Sequence, residues 1–130
     1  MKVLQPEHWP RPRGYANGVS ATGLSIFVSG MIAWDAQRKL VVSDFAGQVR
    51  QALSNVVEVL AEANAKPEHI VRMTWYVVSK KEYIAASKEI GLVYREIIGR
   101  HYPAMTAVEV SSLMEDGARV EIEVTAVIPG

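Results

Sequence analysis

The chain has 130 residues, 49% of them hydrophobic and 22% charged, a balance that excludes a disordered polymer and fits one domain, residues 1–130, with a modest core. Lys+Arg and Asp+Glu both number 14, so the net charge is zero and no basic stripe offers itself to nucleic acid or to an anionic membrane. Cysteine is absent, which excludes disulfides, thiolate nucleophiles and Cys-based zinc sites.

The opening residues carry no apolar stretch of the export-signal kind, and no apolar run reaches about 18 residues, so the expected setting is the cytoplasm rather than a membrane. Up to about Asn17 the chain holds Pro6, Pro10 and Pro12 and reads as an irregular arm, with Arg11 and Arg13 in a solvated turn. Val19 to Ser29 has the pattern of a hairpin whose tight turn is Thr22-Gly23. Gly30 to Val42 reads as a loop with short extended pieces.

Ser43 is suited to cap a helix, with Asp44 favourable in its first turn. Phe45, Val49, Leu53, Val56, Val57 and Leu60 then form one stripe of 3.6-residue period, which predicts a helix over about 44–64 that Lys66-Pro67 stops. Ile70 to Val78 is rich in strand formers, with Val71, Met73, Trp75 and Val77 on one face and Arg72, Thr74 and Tyr76 on the other. Ser79 and Glu82 have capping-box spacing, and Tyr83, Ser87, Ile90, Tyr94 and Ile97 stripe a second helix that ends near Gly99.

Thr106 to Val110 reads as a short strand, and Glu115-Asp116-Gly117 as a turn. Arg119 to Ile128 is the cleanest strand: Val120, Ile122, Val124, Ala126 and Ile128 face one way, and Arg119, Glu121, Glu123 and Thr125 the other. The order β-β-α-β-α-β-β, with two amphipathic helices needing an apolar surface, predicts an α+β fold: a mixed sheet with both helices on one face. The second sheet face is semi-polar, and meets either water or another subunit.

Glu121 and Glu123 are candidate acid/base groups because they share one side of a strand; the plainer reading is a solvated face with Arg119 as partner. His8, His69 and His101 match no metal-ligand spacing and read as structural or incidental. Trp75 is assigned to the core by its alternation with Met73 and Val77, whereas Trp34 sits in a loop where it can line a pocket or an interface. No phosphate loop and no Ser/His/Asp arrangement is present.

Several stretches together resemble the RidA/YjgF family, also called L-PSP endoribonucleases. They are Arg13-Gly14-Tyr15, Ile26 to Ile32 with Ser29-Gly30, the helix with Gln48, Arg50, Gln51, Ala52, Leu53 and Asn55, then Ile70 to Thr74, Pro103-Ala104, Ala107 to Val110, and Val120 to Ala126. The resemblance implies a chorismate-mutase-like fold of the bacillary type. It implies a homotrimer whose sheets close into a central barrel, with a small-molecule cleft between adjacent subunits and no metal or organic cofactor. The reaction it implies is hydrolysis of an enamine or imine to a carbonyl compound and ammonia. Glu121 then orients the attacking water, the backbone at Ala107 helps to place it, and Tyr15, Ser29 and Gly30 line the cleft with Met31, Ser87, Met105 and Thr106.

Met105 stands where the family's deaminases carry an arginine that clamps the substrate carboxylate, a contact whose loss costs about 2–5 kcal/mol. Ser87, Met31 and Ala107 replace the family's asparagine, glutamine and cysteine. The resemblance therefore implies a more apolar pocket and a ligand other than 2-aminoacrylate, with Arg13 as the candidate replacement cation. Two further readings stand beside the deaminase: a non-catalytic trimeric small-molecule binding protein, and a ribonuclease, against which the zero net charge speaks.

Overall fold

The computed structural model describes residues 1–41 and 44–130. Its elements in chain order are β1 (Lys2–Leu4), β2 (Gly18–Ser20), β3 (Gly23–Met31), α1 (Phe45–Ala61), β4 (Ile70–Val77), α2 (Lys80–Ala85), α3 (Ser87–Ile97), β5 (Ala104–Glu109) and β6 (Val120–Pro129). The main sheet runs β3-β6-β4-β5; β6 is antiparallel to both its neighbours, and β4 and β5 are parallel. The expected α+β architecture with a mixed sheet is present.

The hairpin expected over Val19–Ser29 does not form. β2 turns away to pair with β1, inside the arm that was expected to be irregular, and β3 pairs along its length with β6. Gly23 is needed for a different reason than a tight turn: at φ +142° it starts β3 so close to β6 that a Cβ there would lie 1.9 Å from the Ile128 carbonyl oxygen. The long β3–β6 ladder offers far more paired backbone and buried side chain than a hairpin with the three-residue β2.

Helix α1 lays Phe45, Gln48, Val49, Ala52, Leu53, Val56 and Leu60 on β6 and β3. The predicted stripe is thus the buried one, with Val57 at its margin. The expected cap Ser43 lies outside the described residues. The helix ends at Ala61, before the predicted Asn64, because Asn64 adopts φ +58° and the Ala65 N–H reaches back to Leu60. Two side chains of α1 tie it to loops. Gln48, wholly buried, donates to the Gly117 carbonyl (2.9 Å) and accepts from the Arg119 N–H (2.8 Å); Asn55 donates to the carbonyls of Ile32 and Trp34.

In β4 a register shift between Ile70 and Arg72 changes the inward set. Ile70 is buried in place of Val71, and Met73, Trp75 and Val77 follow as expected. The second helix is broken. Ser79 Oγ caps α2 through the Glu82 N–H, but the Glu82 carboxylate takes Arg119 (2.9 Å) rather than closing the capping box. The backbone at Ala86 leaves helical geometry, and Ser87, expected on the buried stripe, is exposed with Oγ donating to the Ile84 carbonyl. Ile90, Val93 and Tyr94 of α3 complete the core.

The other sheet face carries Thr74 and Tyr76 of β4, Glu121, Glu123 and Thr125 of β6, Val108 of β5 and Phe27 of β3, and among the described residues no helix packs on it. Phe27 is 77% exposed there. The Arg119 partner expected for the two glutamates is committed to Glu82, and Glu123 instead accepts from the Tyr76 hydroxyl at 2.5 Å.

Gln48 carries the most specific prediction of the fold. Replacing it with methionine keeps the volume but strips the Arg119 N–H and the Gly117 carbonyl of their partner, and is expected to cost about 1–3 kcal/mol. Urea unfolding of Gln48→Met checks this; an unchanged midpoint contradicts it.

Candidate functional site

The arm is fastened to the edge of the sheet. Ala16 donates to the Pro103 carbonyl at 2.9 Å and bridges Ala104 in parallel, so Tyr15 and Arg13 are carried alongside β5. Between this arm, the edge of β5 and the outer face of α3 opens a cleft of about 610 Å³, within the size range of about 300–1,000 Å³ usual for small-molecule sites. Met105, Thr106 and Ala107 form one wall, Ser87, Gly91 and Arg95 another, and Trp75, Tyr83, Ile90, Tyr94 and Tyr102 the back.

The back wall is a set of packed aromatic rings. Trp75 and Tyr83 meet edge to face at 6.2 Å, and Tyr94 stacks on Tyr102 at 5.5 Å. The Tyr94 hydroxyl donates to the His101 carbonyl at 2.5 Å, and burial pushes its pKa far upward, so it stays a neutral donor. His101 is fixed in turn, with Nε2 2.7 Å from the Ile70 carbonyl, and His69 Nδ1 accepts from the Lys66 N–H. Both histidines therefore have the structural roles expected of them. The Trp75 indole N–H is buried without an acceptor among the described residues.

Among the described residues Arg13 and Arg95 are the only charged groups on the cleft, and neither pairs with a carboxylate there. Among those residues no three His, Asp or Glu side chains gather in a way that could hold a metal ion.

Glu121 lies elsewhere. On β6 it points to the uncovered sheet face, half-buried between Val120 and Ile122, whose side chains enter the core. Across the strand pair the β3 ladder is irregular between Val28 and Met31, which places Ser29 and Gly30 beside it. A Cβ on Gly30 would come within 2.0 Å of Glu121 Oε2, so the carboxylate rests against bare glycine backbone. It accepts no hydrogen bond from any described residue. Its negative charge adds to the upward push on the Tyr76 hydroxyl, which is due first to the Glu123 hydrogen bond and then to burial.

The structure thus divides the expected site residues. Arg13, Tyr15, Ser87, Met105, Thr106 and Ala107 share the cleft, whereas Glu121, Ser29 and Gly30 form a second group at the β3–β6 pair. Met31 lines a separate groove over α1 with Trp34 and Arg38, whose guanidinium sits 5.3 Å over the Trp34 ring. Sequence reasoning missed Tyr83, Tyr94, Arg95 and Tyr102, and placed Trp75 in the core without its edge on the cleft. One signal was available: Ser87, Gly91 and Arg95 follow at intervals of four, on one face of a helix.

A one-layer mixed sheet backed by helices, with a glutamate and an aromatic cleft on opposite sides of β4, defines a class of small α+β proteins. The family model described as Endoribonuclease L-PSP matches residues 9–128, and the chain belongs to that family, the RidA/YjgF proteins. A RutC family protein of Synechocystis is 32% identical over 132 residues, covering 99% of this chain and 98% of that one. The 2-iminobutanoate/2-iminopropanoate deaminase of Salmonella typhimurium is 31% identical over 130 residues, covering 97% of each chain. Among solved structures, the Rid-family protein YyfB of Yersinia pestis has a TM-score of 0.87 at 30% identity, covering 98% of each chain.

The contact between Gly30 and Glu121 predicts a measurable coupling. Gly30→Ala is expected to destabilise the chain more when Glu121 is present than in a Glu121→Ala background, where the clash is gone, with an interaction energy of about 0.5–3 kcal/mol. Denaturant unfolding of the two single variants and the double variant checks it; strict additivity contradicts it.

Proposed function

We propose that the protein hydrolyses a reactive imine or enamine to a carbonyl product and ammonia, in a cleft completed by a neighbouring copy within a homotrimer. The observation that carries this reading is Glu121: a carboxylate free of hydrogen-bond donors, held against Gly30 on a sheet face that also exposes Phe27. A half-buried face of this composition suits contact with another subunit. Family membership and a relative named as an imine deaminase support the same chemistry.

In the proposed reaction an enamine first tautomerises to an imine. Glu121 takes a proton from water as the water oxygen bonds to the imine carbon, then gives that proton to the nitrogen, which leaves a neutral carbinolamine. Glu121 next takes the hydroxyl proton and passes it to the amine as the carbon–nitrogen bond breaks, so ammonia leaves, the carbon keeps the oxygen as a carbonyl and the carboxylate is restored. The electrophile is reactive by itself, so orientation of the water carries much of the catalysis, and water is the only co-reactant. The backbone at Ala107, with Tyr15, Thr106, Ser29 and Gly30, would frame the reacting atoms across the two chains.

Met105 offers no donor and no charge to a substrate carboxylate, so 2-aminoacrylate is not the substrate proposed. The same observation favours a second reading, a trimeric binding protein for a small molecule with little catalysis. The ribonuclease named in the family description finds no support in a chain of zero net charge.

Ammonia release from a panel of freshly generated imines separates the two readings. The deaminase reading predicts turnover that falls about a hundredfold or more in Glu121→Gln, with KM little changed. Equal rates for Glu121→Gln and the unaltered protein on every imine of the panel overturn it.

A further inference from the structure

Gly91 sits in the interior of α3, where its conformation is ordinary for any L residue, and a Cβ added there meets nothing within 4 Å. Neither of the usual reasons for a helical glycine, a left-handed backbone or a close neighbour, applies within the chain. Glycine at such a position weakens a helix relative to alanine. The open space in front of it is the cleft, which Gly91 lines one turn from Ser87 and one turn from Arg95.

The groups around this gap define a chemistry. Trp75, Tyr94, Tyr102, Ile90 and Met105 offer flat and apolar surface, and methionine sulfur suits aromatic faces. Among the described residues Arg95 and Arg13 have no carboxylate partner, and no acid lines the cleft to oppose them. A slot of aromatic rings with two uncommitted guanidiniums fits an anion with a large apolar body. A cleft of about 610 Å³ is also far roomier than a three-carbon acid requires.

We infer that the cleft is specific for 2-imino acids, and their 2-oxo acid products, that carry a bulky aromatic side group: the side group lies over Gly91, and the carboxylate turns toward Arg95 with Arg13 beside it. Arg95 thus serves in place of the arginine that Met105 displaces, from the opposite wall. This inference rests on the cleft being the substrate site, as in the proposed deaminase, and not on turnover.

Calorimetric titration of the intact protein with phenylpyruvate and with pyruvate tests it. Phenylpyruvate is expected to bind at least tenfold more tightly than pyruvate. Arg95→Gln is expected to weaken phenylpyruvate binding about tenfold without changing the sedimentation of the protein. Gly91→Ala is expected to raise the ligand-free melting temperature while weakening phenylpyruvate more than pyruvate, the signature of a glycine kept for ligand space. Equal affinity for the two acids, or unchanged phenylpyruvate binding in Arg95→Gln, overturns the inference. A lowered melting temperature with loss of assembly in Gly91→Ala also overturns it, because the glycine then serves a subunit contact. Failure of the deaminase reading looks different: no ammonia from any imine, with this pattern of affinities intact.

Discussion

Strand β4 stands between β6 and β5, and that placement governs everything proposed for this chain. Adjacent strands lie about 4.8 Å apart, so β6 and β5 are separated by roughly twice that distance. Alternation then sends Glu121 to the uncovered face, while Met105 and Ala107 share register with the inward-facing Met73 and Trp75. No rotamer of Glu121 carries its carboxylate through a packed sheet into the cleft of the same chain. A single copy therefore holds the two halves of the proposed site on opposite faces of the sheet, where they do not meet.

Each half has a distinct physical character. The Glu121 half is an acid without donors, pressed on glycine backbone, beside a tyrosine whose hydroxyl is already given to Glu123. The cleft half is aromatic and cationic, with the Tyr94 hydroxyl held by the His101 carbonyl and burial pushing the Tyr83 and Tyr94 hydroxyls upward in pKa. An imine hydrolase needs these two qualities together: a base for water and a slot that excludes bulk solvent while drawing an anion in. Joining two copies would supply both without a large rearrangement of either, and would cover Phe27 and the semi-polar sheet face at the same time.

The parts of this arrangement that depend on period were legible in the sequence. The α1 stripe from Phe45 to Leu60 and the alternation of β6 from Val120 to Ile128 both appear in the structure, since a helix or strand shows its buried face at a fixed interval. Choices between partners were not legible. Gly23 looks the same whether it makes a hairpin turn or lets β3 approach Ile128, and only the pairing with β6 decides. The break at Ala86 was hidden because Ser87 fits either a continuous stripe or a back-bonded helix start. Alternation made Glu121 and Glu123 candidates together and only the family resemblance preferred Glu121, whose contact with Gly30 depends on a bulge that no local pattern announces. Arg95 was overlooked because an exposed arginine on a helix looks like any other until the arm and β5 close a cleft over it.

The absence of cysteine permits a direct test of whether the two halves meet across chains. Glu121→Cys and Ala107→Cys in one chain, whose side chains leave opposite faces of the sheet, provide the only two thiols, and a short bismaleimide reports on their proximity in the native protein. Denaturing electrophoresis is predicted to give covalent species at two and three times the 14.3 kDa chain mass. Bands at the single-chain mass alone would contradict a site shared between copies.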